Sequence, residues 1–116
     1  MDKNCIFCKL SRNEIPRRTI YENSGFFSIP DVNPRTNGHS LIISKKHCKT
    51  ILDMPENSGE NFIDCVKNTW LKLKNEENFS GFNILNNNFE SAGQVVNHVH
   101  FHIFPRKKGD KFNIPG

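Results

Sequence analysis

Residues 92–106 read AGQVVNHVHFHIFPR, and in this stretch His98, His100 and His102 alternate with Val99 and Phe101 before Ile103 and Phe104. Three of the chain's five histidines thus stand two residues apart in its most β-prone segment. A strand turns successive side chains to opposite faces, so this spacing places the three imidazoles on one side, about 7 Å apart at each step. Val96 falls on the same side, while Asn97, Val99, Phe101 and Ile103 form the other. One face is chemical and the other largely apolar. Pro105 has no N–H for a ladder hydrogen bond, and with Arg106, Lys107, Lys108 and Gly109 it is expected to mark the strand's end. A lone histidine on such a face is most simply a solvated polar side chain. Three in register, with Gly93 and Gln94 just upstream, point instead to a metal, a nucleophile with helpers or a pH-sensitive patch.

The whole chain, residues 1–116, is expected to form one domain that can bury a core without several disulfides. Hydrophobic residues make up 35%, with ten Phe as the bulky filler. No apolar run approaches the roughly 20 residues that span a bilayer, so a soluble protein with no membrane partner is expected. Met1-Asp2-Lys3-Asn4 leads straight into Cys5 without the charged and apolar regions of a secretory signal, which points to the cytoplasm. In that reducing compartment four cysteines serve metals or catalysis more often than disulfides. A net charge of +4 suits an anionic ligand. The lysines and arginines are dispersed, however, and aromatics are not interleaved with them, so a nucleic-acid partner is not expected.

Cys5-Ile6-Phe7-Cys8 opens the chain and runs into the helix-compatible Lys9-Leu10-Ser11-Arg12. The pair reads as a redox motif, as two buried thiols or as half of a zinc site. No strand precedes it to build a redox fold, and a zinc site needs two more ligands. His47 follows a strand over His39–Ser44, and a histidine of the triad strand is the preferred fourth group, because the neighbouring Cys48 seldom reaches the same tetrahedral ion. Ile15-Pro16 ends the first helix; Thr19–Glu22 and Phe26–Ile29 read as a hairpin hinged at Asn23-Ser24-Gly25. Asp31 begins a turn-rich loop, where it serves either the turn or a ligand. Ser58 is placed as the cap of a helix running to about Asn75, with Phe62, Val66, Trp70 and Leu73 on its apolar stripe and Ile63 beside them. Cys65 and Trp70 are read as packing residues. Gly81–Asn86 is a fourth strand, and the loop from Asn87 to Gly93, with Gly93 allowing close approach, forms a candidate anion cradle.

Residues His98 to Phe104 match the His-φ-His-φ-His-φ-φ motif of the histidine triad (HIT) family of nucleotide-binding proteins, where φ is apolar. Ala92-Gly93-Gln94, the Cys5–Cys8 pair with Ile15-Pro16, the Asp31 loop, Gly38-His39 through Lys45-Lys46-His47, and Asn87 are similar in order and approximate spacing. The chain most resembles the Hint-type branch. The resemblance implies an α+β fold: an antiparallel five-stranded sheet with one long helix and a short N-terminal helix, extended across a homodimer. It implies hydrolysis of purine nucleoside phosphoramidates or related nucleotidyl substrates to the nucleoside monophosphate through a nucleotidyl-histidine. His100 would be the nucleophile, His102 would hydrogen-bond the phosphate, Gln94 and Asn87 would contact phosphate or leaving group, and Asp31 would bind the ribose. His39 would support the catalytic strand. A structural zinc would be held by Cys5, Cys8, His47 and His98.

The sequence departs from the family pattern in three places. Val95 stands where many relatives carry a Ser or Thr that binds phosphate. Ser44 replaces a proline, with no consequence expected, and the carboxyl end Ile114-Pro115-Gly116 lacks a tryptophan that shapes the partner's site in some relatives. Two alternatives stand beside the phosphoramidase reading: a dinucleoside polyphosphate hydrolase, which Pro105-Arg106 allows, and a non-enzymatic zinc-stabilised nucleotide-binding protein. A catalytic metal on all three triad histidines is a further option, since strand positions two apart can ligate one ion.

Overall fold

The computed structural model describes residues 4–115. The amino-terminal residues used above against a secretory signal, and the last glycine, lie outside them in part or whole. The described elements run α1 (Ile6–Ser11), β1 (Tyr21–Glu22), β2 (Phe26–Pro30), β3 (Ser40–Ser44), α2 (Gly59–Glu76), β4 (Gly81–Leu85) and β5 (His100–Arg106), with short 3-10 turns at Ile51–Asp53, Glu56–Ser58 and Glu90–Ala92. The five strands form one antiparallel sheet in the order β1-β2-β3-β5-β4. The α+β architecture and its five-stranded sheet are as the sequence implies. No helix is long and apolar enough to cross a membrane among the described residues.

Strand periodicity divides the core in two. Phe26, Ile42, Val99, Phe101 and Ile103 pack with Cys65, Val66 and Leu73 of α2. Phe27, Ile29, Leu41 and Ile43 point to the opposite face, where α1 supplies Phe7, Cys8 and Leu10. Each such buried side chain is worth about 1.5–3 kcal/mol in transfer from water, so both faces need their covering helix. Trp70 stacks on Phe82 with ring centroids 4.7 Å apart, tying α2 to β4. Ile63 stays half exposed, outside the stripe expected to pack. Cys65 is fully buried beside Thr69, as a core residue should be.

Four local expectations need correction. The histidine strand begins at His100, and His98 lies in the bend before it, because its ring turns toward Ser44 and the Cys5–Cys8 pair. Asn97, assigned to the apolar face, is exposed in that bend. Pro105 sits inside β5 rather than at its end, opposite Phe82. Pairing with β3 stops opposite Ile103, so only β4 flanks Pro105 and the demand for its missing N–H is reduced. Ser58 occupies the first cap position of α2 but its hydroxyl donates back to the Pro55 carbonyl at 2.6 Å instead of capping an amide.

Candidate functional site

Register sets the site. His100 lies opposite Ile43 and His102 opposite Leu41, so both imidazoles emerge on the α1 face of the sheet. Their ring centroids are 5.3 Å apart. The edges of the Phe7 ring and the imidazoles of His98 and His100 meet at steep angles, with centroids 5.8 and 5.0 Å apart.

Backbone contacts give the two strand histidines opposite protonation patterns. His100 Nδ1 is 2.8 Å from the carbonyl oxygen of His98, which can only accept, so Nδ1 carries the proton and Nε2 keeps its lone pair. For His102 the sequence of contacts is reversed. The backbone N–H of Arg35 donates to His39 Nδ1 at 3.1 Å, which leaves the proton of a neutral His39 on Nε2. That Nε2–H meets His102 Nδ1 at 2.9 Å and has Asp31 Oδ2 3.4 Å away. His102 therefore accepts at Nδ1 and presents Nε2–H as a donor. Neighbouring positions on one strand offer a nucleophilic nitrogen and a hydrogen-bond donor.

Burial keeps these rings neutral. It pushes His102 down to about 4, helped by His100 and His39 beside it, and lowers His100 against the upward pull of the His98 carbonyl. His39 is lowered by burial too, while Asp31 pulls it upward. Phe104 backs the pair, lying 4.3 Å from the His39 ring and parallel to His102 at 5.7 Å. A neutral imidazole is the form that can attack phosphorus.

The loop before the triad is tightly tied. Gln94 is buried; its amide nitrogen donates to the carbonyls of Lys49 at 2.6 Å and Val96 at 3.0 Å, and its Oε1 accepts from the Phe89 N–H at 2.7 Å. The phosphate contact expected of Gln94 would have to replace one of these bonds. Gly93 takes a left-handed φ of 93°, and the Asn87 amide lies over the open side of that glycine. Asn86, not singled out from sequence, donates to the His100 carbonyl at 2.9 Å. Asp31 serves the turn, since Oδ1 accepts from the Asn33 N–H at 2.9 Å, while Oδ2 faces His39. Val95 is almost fully exposed and offers no polar atom.

Cys5, Cys8, His47 and His98 converge at the other end of the triad, their ligand atoms all within 4.8 Å of one another. Cys5 Sγ and Cys8 Sγ lie 3.3 and 3.5 Å from His98 Nδ1, and Cys8 Sγ is 3.1 Å from His47 Nδ1. Bonds of about 2.0–2.3 Å around a tetrahedral zinc would set such donors roughly 3.3–3.8 Å apart; the two distances from His98 fall in that range and the Cys8–His47 distance just below it, so the donor set suits that ion. His98 is prepared for it. Its Nε2–H donates to the Ser44 carbonyl at 2.7 Å, which turns the Nδ1 lone pair toward the sulfurs, and burial holds the ring down to about 4. Ser44 thus acquires a role the sequence did not suggest: its hydroxyl also donates to the Lys46 carbonyl at 2.7 Å, fixing the turn that carries His47. None of Cys5, Cys8, Cys48 and Cys65 is in a disulfide.

Asp31, His39 and His102 form a second cluster of potential ligands. There the nitrogen of His39 that faces the cluster carries its proton, because Arg35 occupies the other lone pair, so this group is built as a hydrogen-bond relay.

A family model described as HIT domain matches residues 12–109. The chain belongs to the HIT family. Its relatives include a HIT-like protein of Methanocaldococcus jannaschii, 49% identical over 106 residues, covering 91% of this chain and 81% of the relative. The adenosine 5'-monophosphoramidase of Candida albicans is 38% identical over 108 residues, covering 90% of this chain and 71% of that protein. Among solved structures, the SMU.412c protein of Streptococcus mutans superposes with a TM-score of 0.90 at 34% identity, covering all of this chain and 74% of the other. This HIT chain therefore carries the family fold through its full described length.

Proposed function

We propose that this HIT protein hydrolyses purine nucleoside phosphoramidates or related nucleotidyl substrates to the nucleoside monophosphate through a nucleotidyl-His100 intermediate. The observation carrying the reading is the opposed hydrogen-bond state of His100 and His102. The lone pair of His100 Nε2 attacks the α-phosphorus; the N–P bond forms as the bond to the leaving group breaks. Nδ1–H remains on the His98 carbonyl and stabilises the positive charge that the ring acquires. His102 Nε2–H grips a non-bridging oxygen, and amides around Gly93 with the Asn87 side chain complete the grip. Water then attacks the same phosphorus, the N–P bond breaks, and the imidazole is released with Nε2 bare. Splitting one displacement into two lowers each barrier. The leaving amine takes its proton from solvent, because Val95 has no donor and both Gln94 N–H groups are engaged.

Asp31 would receive ribose hydroxyls, and the apolar wall of Phe7, Ile29 and Leu41 on the triad face of the sheet would suit a purine. Zinc on Cys5, Cys8, His47 and His98 would be closed by four protein ligands with no position for water, so its role is structural. A homodimer would form by pairing at β4, an edge strand on which Ile84 and Leu85 are exposed. The 38% identical phosphoramidase from Candida albicans supports the reaction class. Incubating the protein with adenosine phosphoramidate and trapping an adenylylated His100 for mass spectrometry tests the proposal; release of AMP without labelled His100 would overturn it.

A further inference from the structure

Gln94 is buried and its neighbour Val95 is almost fully exposed. Between the two, the loop passes from closed to open. The N–H groups of Ala92, Gly93 and Gln94 are engaged within the loop, by the carbonyls of Phe89, Glu90 and Phe89 at 3.1, 2.9 and 3.1 Å. The Val95 N–H comes next and has no partner among the described contacts. A phosphate oxygen is an acceptor, so this amide is a donor that the loop can still give it.

What holds that amide in place is the Gln94 side chain. Its Oε1 accepts the Phe89 N–H at 2.7 Å, and its Nε2 donates to the Val96 carbonyl at 3.0 Å and to the Lys49 carbonyl at 2.6 Å. The chain is thus fastened at the Gln94 N–H and again at the Val96 carbonyl, with the Val95 N–H in the short span between them. Lys49 belongs to the turn after His47, a second segment far away in sequence. Asn88 Oδ1 ties the same two segments once more by accepting the Ile51 N–H at 2.9 Å. A primary amide has two hydrogens, and both of those on Gln94 are in use. To bind a phosphate oxygen it would have to release a carbonyl, which loses one bond for each one gained.

We propose that Gln94 is a positioning residue for the phosphate grip: it fastens the loop to the Lys49 turn so that the Val95 N–H meets the phosphate, and touches no phosphate oxygen itself. This rests on the nucleotidyl reading of the site. A direct bond from the Gln94 amide to the phosphate is the competing role, and the two roles differ in what that amide does when the phosphate arrives.

The test titrates the full chain, purified with zinc and labelled with nitrogen-15 and carbon-13, with AMP and separately with adenosine, which lacks the phosphate. AMP should move the Val95 N–H resonance downfield, and adenosine should leave it in place. Through both titrations the Gln94 side-chain nitrogen should keep its hydrogen-bond couplings to the Lys49 and Val96 carbonyl carbons. Loss of either coupling with AMP but not with adenosine, or a Val95 N–H that AMP does not shift, would overturn the proposal. Gln94→Met keeps the length and loses all three side-chain bonds. Its AMP affinity should fall by about tenfold or more, the cost of misaligning one charge-assisted bond, with adenosine affinity within about twofold. Unchanged AMP affinity, or equal losses for the two ligands, would also overturn it. Should Gln94→Met not fold, the wild-type titration still decides. A wild-type protein that neither binds AMP nor turns over adenosine phosphoramidate would instead remove the nucleotidyl reading, and this proposal with it.

Discussion

Replacing His100 with Gly leaves the backbone of β5 in place and takes away the ring nitrogen on which nucleotidyl transfer would be built. Turnover of adenosine phosphoramidate should fall by about 10⁴-fold or more, as when a nucleophile is deleted, while AMP binding stays measurable by calorimetry. Retained turnover would show that another group attacks. Val95 makes a second residue-scale case. Its exposed side chain gives the leaving group nothing to take a proton from. Val95→Ser should raise kcat about tenfold for an alkylamine leaving group, a modest share of what a positioned acid contributes. The same variant should leave unchanged the rate for an adenylyl sulfate, whose leaving group departs as an anion. Equal effects on the two substrates in a paired assay would contradict this account.

At the level of elements, the Cys5–Cys8 clip, with the zinc proposed for it, and the Asn86–Gln94 loop should respond to different treatments. Chelation should release α1, lower the melting temperature by about 10 °C or more, and reduce helical ellipticity, because metal binding and docking of this short helix are one event. The loop contains Phe89 at φ 73° and ψ 159°, a conformation that costs a non-glycine residue about 1–3 kcal/mol. Phe89→Gly should relieve that strain, lose part of the gain to chain entropy, and stabilise the protein by about 1 kcal/mol in urea unfolding. Destabilisation would mean the exposed ring packs more than its surroundings suggest. These elements also mark how far the sequence could be read. Period-two histidines placed His100 and His102 on one strand face, and the Cys-x-x-Cys spacing required partners that His47 and His98 supply geometrically. The departure of His98 from the strand was hidden, because its ring answers to Ser44 and Cys5, which lie 54 and 93 residues away. The Arg35 N–H that orients His39 was hidden too, since a backbone donor leaves no mark in composition. One missed feature did have a pattern: Thr50-x-x-Asp53 is a capping box, and both of its bonds form.

Over the whole molecule, buried neutral histidines make stability depend on pH. The unfolded chain takes up a proton on His102 near its ordinary value of 6.5, and the folded chain does so only near 4. The unfolded state therefore binds more protons between those limits, and stability falls as pH drops through 6.5, levelling on this account below about 4. Urea midpoints at pH 7.5 and 5.5 should show the fall, and His102→Asn should make it shallower; an identical slope in the variant would exclude His102 as a source. Assembly is the other property of the whole. Ile84 on the β4 edge is 44% exposed; under the proposed pairing of two copies along β4, Ile84→Lys should leave the fold intact while shifting sedimentation toward the single chain.

The only tryptophan in the chain, Trp70, lies on Phe82 of that same edge strand. Anything that pairs along β4 will change the hydration of this indole without touching the imidazoles on the opposite side of the sheet. Its emission wavelength, followed through a dilution series, is a label-free optical gauge of whether the edge is covered.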